Sequence, residues 1–193
     1  MTKRRVVVTG VGPITPIGTG KEEFWANLTA GKSGIGMITQ FDTTDFNVKI
    51  AGEVKDFDFG KYGDKKEGKR MDRVTQFAVA AAKLAIEDAK LDLEKIDATR
   101  CGVCVGTGIG GIHTFLEQSL KLGAKGPSKI SPFFIPMEIP NMPAGQIGIA
   151  YGFNTFILEM EKGLDGSEGI SPDSHLWKVH GLRTLRSETG AHS

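Results

Sequence analysis

Apolar positions along the chain follow two rhythms, and the longest regular stretch is helical. After Asp72, the residues Val74, Phe77, Ala78, Ala81, Leu84, Ala85 and Ala89 recur at intervals of three and four, with Gln76, Lys83 and Glu87 between them. The spacing predicts an amphipathic helix whose alanine-rich face packs closely in a core. A second helix is predicted from Lys21: Phe24, Trp25 and Leu28 share a face, Glu22 and Glu23 favour its first turn, and Gly31 stops it. Arg5 to Thr9 is a β-branched run closed by Gly10, the pattern of a buried strand, and Cys101 to Val105 reads as another. The turn Gly106-Thr107-Gly108-Ile109-Gly110-Gly111 carries that second strand into a helix from about Ile112 to Leu122. Residues 32–70 read as a long surface excursion with a short strand at 48–54. A loop runs from Gly126-Pro127 to Pro136, and a helix follows over 138–150, its regular part confined to the later residues by Pro140 and Pro143. The order strand, helix, helix, strand, helix favours an α/β layered fold.

The pattern fades after Phe153. Residues 154–193 carry four Lys and Arg against six Asp and Glu, three of the four His, and little periodicity beyond Met160. Two regions are therefore expected: an ordered 1–153 and a poorly ordered tail over 154–193. With 193 residues, 39% hydrophobic, and 24 basic against 23 acidic side chains, the composition fits one soluble domain. A net charge of +1 gives no global attraction for nucleic acid. No apolar run reaches the roughly 20 residues that span a bilayer, and two cysteines are too few for a disulfide scaffold. A cytoplasmic protein is expected, bound to neither membrane nor nucleic acid.

Four features could carry chemistry. Gly106-x-Gly108-x-x-Gly111 has the spelling and the strand-to-helix context of a dinucleotide fingerprint, but no acid-ended strand follows about 20 residues on. A tight turn that lets backbones approach is the favoured alternative. Cys101-x-x-Cys104 has half-site spacing for zinc or redox work. Residues three apart in a strand diverge and no second ligand pair exists, so both are expected to be small buried hydrophobes. His175 and His180 miss the four-residue spacing of helical metal ligands, and no metal or cofactor is expected. Lys61, Lys65, Lys66, Lys69 and Arg70 cluster just before the main helix, relieved by Asp64 and Glu67: either a solvated surface or a docking patch for an acidic partner.

Taken together, several segments resemble the N-terminal part of the type II β-ketoacyl-acyl-carrier-protein synthases, condensing enzymes of the thiolase superfamily. They include Lys3-Arg4-Arg5-Val6-Val7-Val8-Thr9-Gly10 with Thr15-Pro16-Ile17-Gly18, then Gly31-Lys32-Ser33-Gly34-Ile35, Phe41-Asp42-Thr43 and Ala51-Gly52-Glu53-Val54-Lys55-Asp56-Phe57. Lys69-Arg70-Met71-Asp72-Arg73, the Gly106–Gly111 turn and Ile130-Ser131-Pro132-Phe133-Phe134-Ile135-Pro136 complete the set, in order, over residues 1–153. The resemblance implies an αβαβα layered thiolase-like fold, here incomplete, and a dimer. The implied reaction is decarboxylative condensation of an acyl thioester with malonyl-acyl carrier protein. A cysteine at a helix start would hold the acyl group, two His would stabilise the enolate, and backbone N–H groups would hold the oxyanion. By position, Ile109 would line the acyl pocket and Phe134 would reach the partner subunit's pocket. Lys66, Lys69 and Arg70 would receive the acidic carrier protein.

The resemblance departs after Tyr151-Gly152-Phe153. Where the family continues into a strand and Thr-Ala-Cys-x-Ser, this chain reads Asn154-Thr155-Phe156-Ile157-Leu158-Glu159-Met160-Glu161, and Leu164 falls where the nucleophile would stand. No cysteine follows Cys104, and the His-bearing half is missing. No catalytic residue is therefore assigned, and a truncated chain inactive by itself is expected. The alternatives are a non-catalytic interaction protein that binds acyl carrier protein or an intact synthase subunit, and a small nucleotide-binding domain. Exposed apolar faces are expected to make the isolated chain aggregate or stay molten unless a partner covers them.

Overall fold

The computed structural model describes residues 6–153 and the strand Ile157–Glu161. Two small antiparallel ribbons come first: β1 (Ile14–Thr15) with β2 (Gly18–Thr19), then, after helix α1 (Lys21–Thr29), β3 (Ile35–Met37) with β4 (Ile50–Gly52). A single 3₁₀ turn at Phe59–Lys61 and the one-turn helix α2 (Lys65–Gly68) lead into the long helix α3 (Arg73–Asp88). Then come β5 (Val103–Thr107), α4 (Ile112–Lys125), α5 (Phe134–Glu138), α6 (Met142–Tyr151) and β6 (Ile157–Glu161). β6 pairs in parallel with β5, Val103 opposite Ile157 and Thr107 opposite Glu161.

The core lies where α3, α6 and β5 meet. Val79 of α3, Val103 of β5, Ala144 and Ile147 of α6, and Phe59 from the 3₁₀ turn are buried together, with Ala78, Ala82, Val105, Tyr151 and Phe153 packed against them. α3 forms as its periodicity predicts, and Asp72 caps it, its carboxylate accepting the Val74 N–H at 3.1 Å. Pro143 falls in the first turn of α6, where its missing N–H has no helical partner to lose, so that helix begins after Pro140. The expected αβ layering is present. Within the tail expected to be poorly ordered, 157–161 forms β6, and the rest of that tail lies outside the described residues.

Three local expectations are corrected. The run Val6–Thr9 is not a strand: Val6 and Val8 are 90% and 84% exposed, and among the described residues no neighbouring strand offers a ladder to these backbones. Gly10–Pro13, directly after it, is a glycine loop seated on α3. A Cβ on Gly10 would lie 2.3 Å from the Ala85 carbonyl oxygen, and one on Gly12 would lie 2.1 Å from that of Ala81. The alanine face of α3 thus meets a loop rather than a sheet. The cysteines are not both buried either. Cys101 ends a 3₁₀ turn, its thiol 3.4 Å from the Asp97 carbonyl, and Cys104 is exposed because its side of β5 lines an open cleft of about 1120 Å³ beside that loop. Lastly, the segment expected as a loop to Pro136 holds a 3₁₀ turn at Pro127–Lys129 and the start of α5.

Candidate functional site

The basic cluster is a structured turn. Asp64 caps α2 by accepting from the N–H groups of Lys66 and Glu67, and Arg70 and Met71 continue the turn by donating to the carbonyls of Glu67 and Gly68. Gly68 is buried against Phe59, whose ring would lie 2.5 Å from any Cβ placed there, so the turn rests directly on the core. Gln76 of α3 donates to the carbonyls of Gly68 and Met71, fixing the turn from the other side. Lys61, Lys65, Lys66, Lys69 and Arg70 are all exposed. Lys65 pairs with Asp58 at 3.3 Å. The Gly60 N–H and the Lys65 ammonium hold the Asp58 carboxyl below its ordinary range. Among the described residues, Lys66, Lys69 and Arg70 ion-pair with no acid. The turn therefore holds three cations outward on a fixed base. Arg73, three residues beyond Arg70, is used differently: it donates to the Val54 carbonyl at 2.8 Å and lies over the Phe77 ring.

Ile109 and Phe134 occupy neighbouring segments. Ile109 is 47% exposed in the turn between β5 and α4, and Phe134, half-buried, opens α5. The Gly111 N–H donates to the Glu138 carbonyl at 2.8 Å, and the Phe115 and Phe134 rings lie 6.2 Å apart, which ties this turn to α5. Neither side chain lines the cleft beside β5. Arg70 does reach this region, its guanidinium 4.9 Å above the ring of Phe133, the residue next to Phe134. The basic turn and the aromatic segment are thus contiguous.

Three residues of this frame escaped the sequence reading as functional candidates. Asp72 reaches from the start of α3 to Thr114, Gln118 accepts the Ser131 N–H at 2.9 Å, and Phe133 underlies Arg70. Only Asp72 had a local signal, as an acid placed directly before a helical run.

The Gly106–Gly111 turn is built for packing. Gly110 has φ 73°, and Cβ atoms on Gly110 and Gly111 would lie 2.8 Å from the Glu138 oxygen and 2.4 Å from the Met137 oxygen. At the start of α4, where a dinucleotide's pyrophosphate would sit, the Gly111 and Thr114 N–H groups already serve the Glu138 carbonyl and the Asp72 carboxylate. A carboxylate in that place repels an anion, so the geometry favours the close-packed turn over the nucleotide reading. Leu164 lies outside the described residues. No described helix is long and apolar enough to cross a membrane.

Comparison with known proteins adds the remaining element. Residues 3–156 match the family described as beta-ketoacyl synthase, N-terminal domain. The 3-oxoacyl-(acyl-carrier-protein) synthase 2 of Synechocystis is 50% identical over 152 residues, covering 79% of this chain and 36% of that protein. Its Staphylococcus aureus counterpart is 47% identical over 149 residues, with 77% and 36% covered. Among solved structures, the ishigamide ketosynthase/chain length factor superposes with TM-score 0.71 at 34% identity, over 84% of this chain and 40% of that one. A type II polyketide ketosynthase in complex with its acyl carrier protein, AntDE:AntF, superposes with TM-score 0.66 at 25% identity, over 80% and 40%. The chain thus spans little more than a third of the length of the curated relatives it matches. On the family match and on this thiolase-like layering, the chain belongs to the β-ketoacyl synthase family, whose N-terminal domain it carries.

Proposed function

We propose that this chain supplies the carrier-docking and acyl-facing part of a β-ketoacyl synthase, and that its partner is acyl carrier protein. The observation that carries the reading is the 65–70 turn: Lys66, Lys69 and Arg70 stand exposed and, among the described residues, without acid partners on a base fixed by Phe59 and Gln76. A rigid cluster of cations steers an acidic partner and sets its register even when net charge is near zero. The relative solved with an acyl carrier protein on its ketosynthase supports the choice of partner. In the parent reaction an acyl group moves from a thioester to the carbanion left when malonyl thioester loses carbon dioxide. Ile109 and Phe134 are the side chains proposed to face the acyl tail, where each buried CH₂ contributes roughly 0.8 kcal/mol.

The 193 residues hold no cysteine beyond Cys104, and neither cysteine lies at a helix start. The chain by itself is therefore proposed not to turn over. Its apolar α4 face, with Ile112, Leu116 and Leu120 more than half exposed, is proposed to be covered by a second copy or by an intact synthase subunit. A cytoplasmic setting accords with a sequence of only two cysteines. The test is titration of holo acyl carrier protein into the chain. Lys66→Glu with Lys69→Glu should weaken binding by about tenfold or more, and affinity equal to wild type would reject the reading. A condensation assay with acyl- and malonyl-carrier protein should give no product above an enzyme-free control.

A further inference from the structure

Within the basic turn, Arg70 is held differently from its neighbours. Lys66 and Lys69 end in ammonium groups on flexible stems, whereas the Arg70 guanidinium lies over the face of Phe133, 4.9 Å from its centroid. Phe133 is 41% exposed, so its ring is not spent on the core. Its backbone is nonetheless fixed. The Phe133 N–H donates to Ser131 Oγ at 3.2 Å, and its carbonyl accepts the Met137 N–H at 3.0 Å. The Ser131 N–H in turn donates to Gln118, a side chain only 5% exposed. An exposed aromatic ring on an anchored turn is a platform, and the cation resting on it is half immobilised before any ligand arrives.

The geometry of a guanidinium decides what this platform does. Its five N–H donors lie in the plane of the group, and its faces have none. A ring offers the cation its π-system and no lone pair, so with five donors available the group keeps those turned away from the ring for the hydrogen bonds that a carboxylate accepts. Holding the side chain in place also removes rotamer entropy that would otherwise be lost on binding. An ammonium, a compact point charge, lacks the planar donor pair that matches a carboxylate.

We infer that Phe133 is a positioning residue for docking: its ring holds the Arg70 guanidinium by a cation–π contact so that the N–H donors turned away from the ring receive a carboxylate of the acidic carrier protein. The inference rests on the docking role proposed above and divides the patch into two kinds of cation. Lys66 and Lys69 attract and steer, and Arg70 on Phe133 fixes the register. Because Phe133 directly precedes Phe134, the captured carboxylate is seated one residue from the side chain proposed to face the acyl tail.

A double-mutant cycle on the full 193-residue chain, read as affinity for holo acyl carrier protein, tests this. Phe133→Leu should weaken binding by about two- to fivefold, the range of an exposed cation–π contact. Arg70→Gln should weaken it by about tenfold or more, as loss of a charge-assisted hydrogen bond does. In the Arg70→Gln background, Phe133→Leu should have no further effect, and Phe133→Trp should bind as wild type does. Equal losses from Phe133→Leu in both backgrounds, or wild-type affinity in Phe133→Leu, overturn the inference while Lys66→Glu with Lys69→Glu still weakens binding. If that charge-reversed pair binds as wild type does, the docking reading fails and the inference with it.

Discussion

The Asp72 carboxylate caps two helices at once. One oxygen accepts the Val74 N–H of α3 at 3.1 Å, and the other accepts both the N–H and the hydroxyl of Thr114 in α4, at 2.9 and 2.6 Å, across 42 residues of sequence. Asp72 is 4% and Thr114 3% exposed, so the bonds between them are shielded from water. The joint fixes the basic turn just before Asp72 relative to the α4 start just after Ile109, and so holds the docking and acyl-facing segments in one frame.

Removing that carboxylate strands three donors, two of them on buried Thr114. Asp72→Ala should lower the unfolding free energy by about 3 kcal/mol, combining loss of the cap with the unsatisfied Thr114 groups. Asp72→Asn, which keeps one acceptor, should lose about half as much. Urea unfolding followed by circular dichroism measures both, and equal midpoints for Asp72→Ala and wild type would show that the joint carries no weight.

The glycine turn gives a comparison between neighbours. A Cβ on Gly108 meets nothing within 4 Å, whereas one on Gly111 would lie 2.4 Å from a backbone oxygen. Gly108→Ala should therefore change stability by no more than about 0.5 kcal/mol, and Gly111→Ala should cost about 2 kcal/mol or more. A dinucleotide site would reverse the emphasis, because the second glycine of that fingerprint is the one that admits the pyrophosphate. Thermal unfolding of the wild-type chain and the two variants, with and without NAD, separates the cases: no shift with NAD is expected in the wild type, and a stabilising shift there that Gly108→Ala removes would restore the nucleotide reading.

How far these features were legible in the sequence depended on whether their cause is local. α3 was legible because its period, its cap at Asp72 and its alanine face all lie within the run itself. The Val6–Thr9 run has strong β propensity too, yet a strand exists only where another backbone completes its ladder, and that lies outside any local window. The Asp72–Thr114 joint and the Gln118–Ser131 bond leave no periodic trace for the same reason. Ile109, Phe134 and the docking cations came from resemblance to the family. Residue types alone mark five cations before α3, and only the fold distinguishes Lys65 on Asp58, Arg70 on Phe133 and the outward Lys66 and Lys69.

Thr75 offers a gain. It sits in α3 at 2% exposure, and its hydroxyl has no hydrogen-bond partner among the described residues. Valine has nearly the same shape and no polar atom to desolvate. Thr75→Val should therefore raise stability by about 1 kcal/mol, within the range that a buried unsatisfied hydroxyl costs. A higher urea midpoint with an unchanged slope is the expected result, and a lower midpoint would mean that the hydroxyl has a partner in solution.

Asp88 makes the N-terminal part of the fold sensitive to acid. Its carboxylate accepts the Val11 N–H at 3.0 Å and the Lys21 ammonium at 2.8 Å, so it fastens both the glycine loop and α1 to the end of α3. The Lys21 hydrogen bond, then the Val11 N–H, hold its carboxyl below the ordinary 3.8, and the same hydrogen bond raises the Lys21 ammonium above 10.5. A depressed carboxyl contributes fully above its unfolded value and is lost as pH falls through its folded value. A raised ammonium contributes fully below its unfolded value and is lost as pH rises through its folded value. The clasp should therefore hold constant between about pH 5 and 9 and open at both ends. Trp25 on α1 lines the cleft beside Gly10–Pro13 and reports the change. In a Trp177→Phe background, its emission should be flat across that window and shift below it. Asp88→Asn should abolish the acid transition without unfolding the α3–α6 core, which circular dichroism monitors in the same titration. An acid shift that survives Asp88→Asn would assign the opening to another carboxylate.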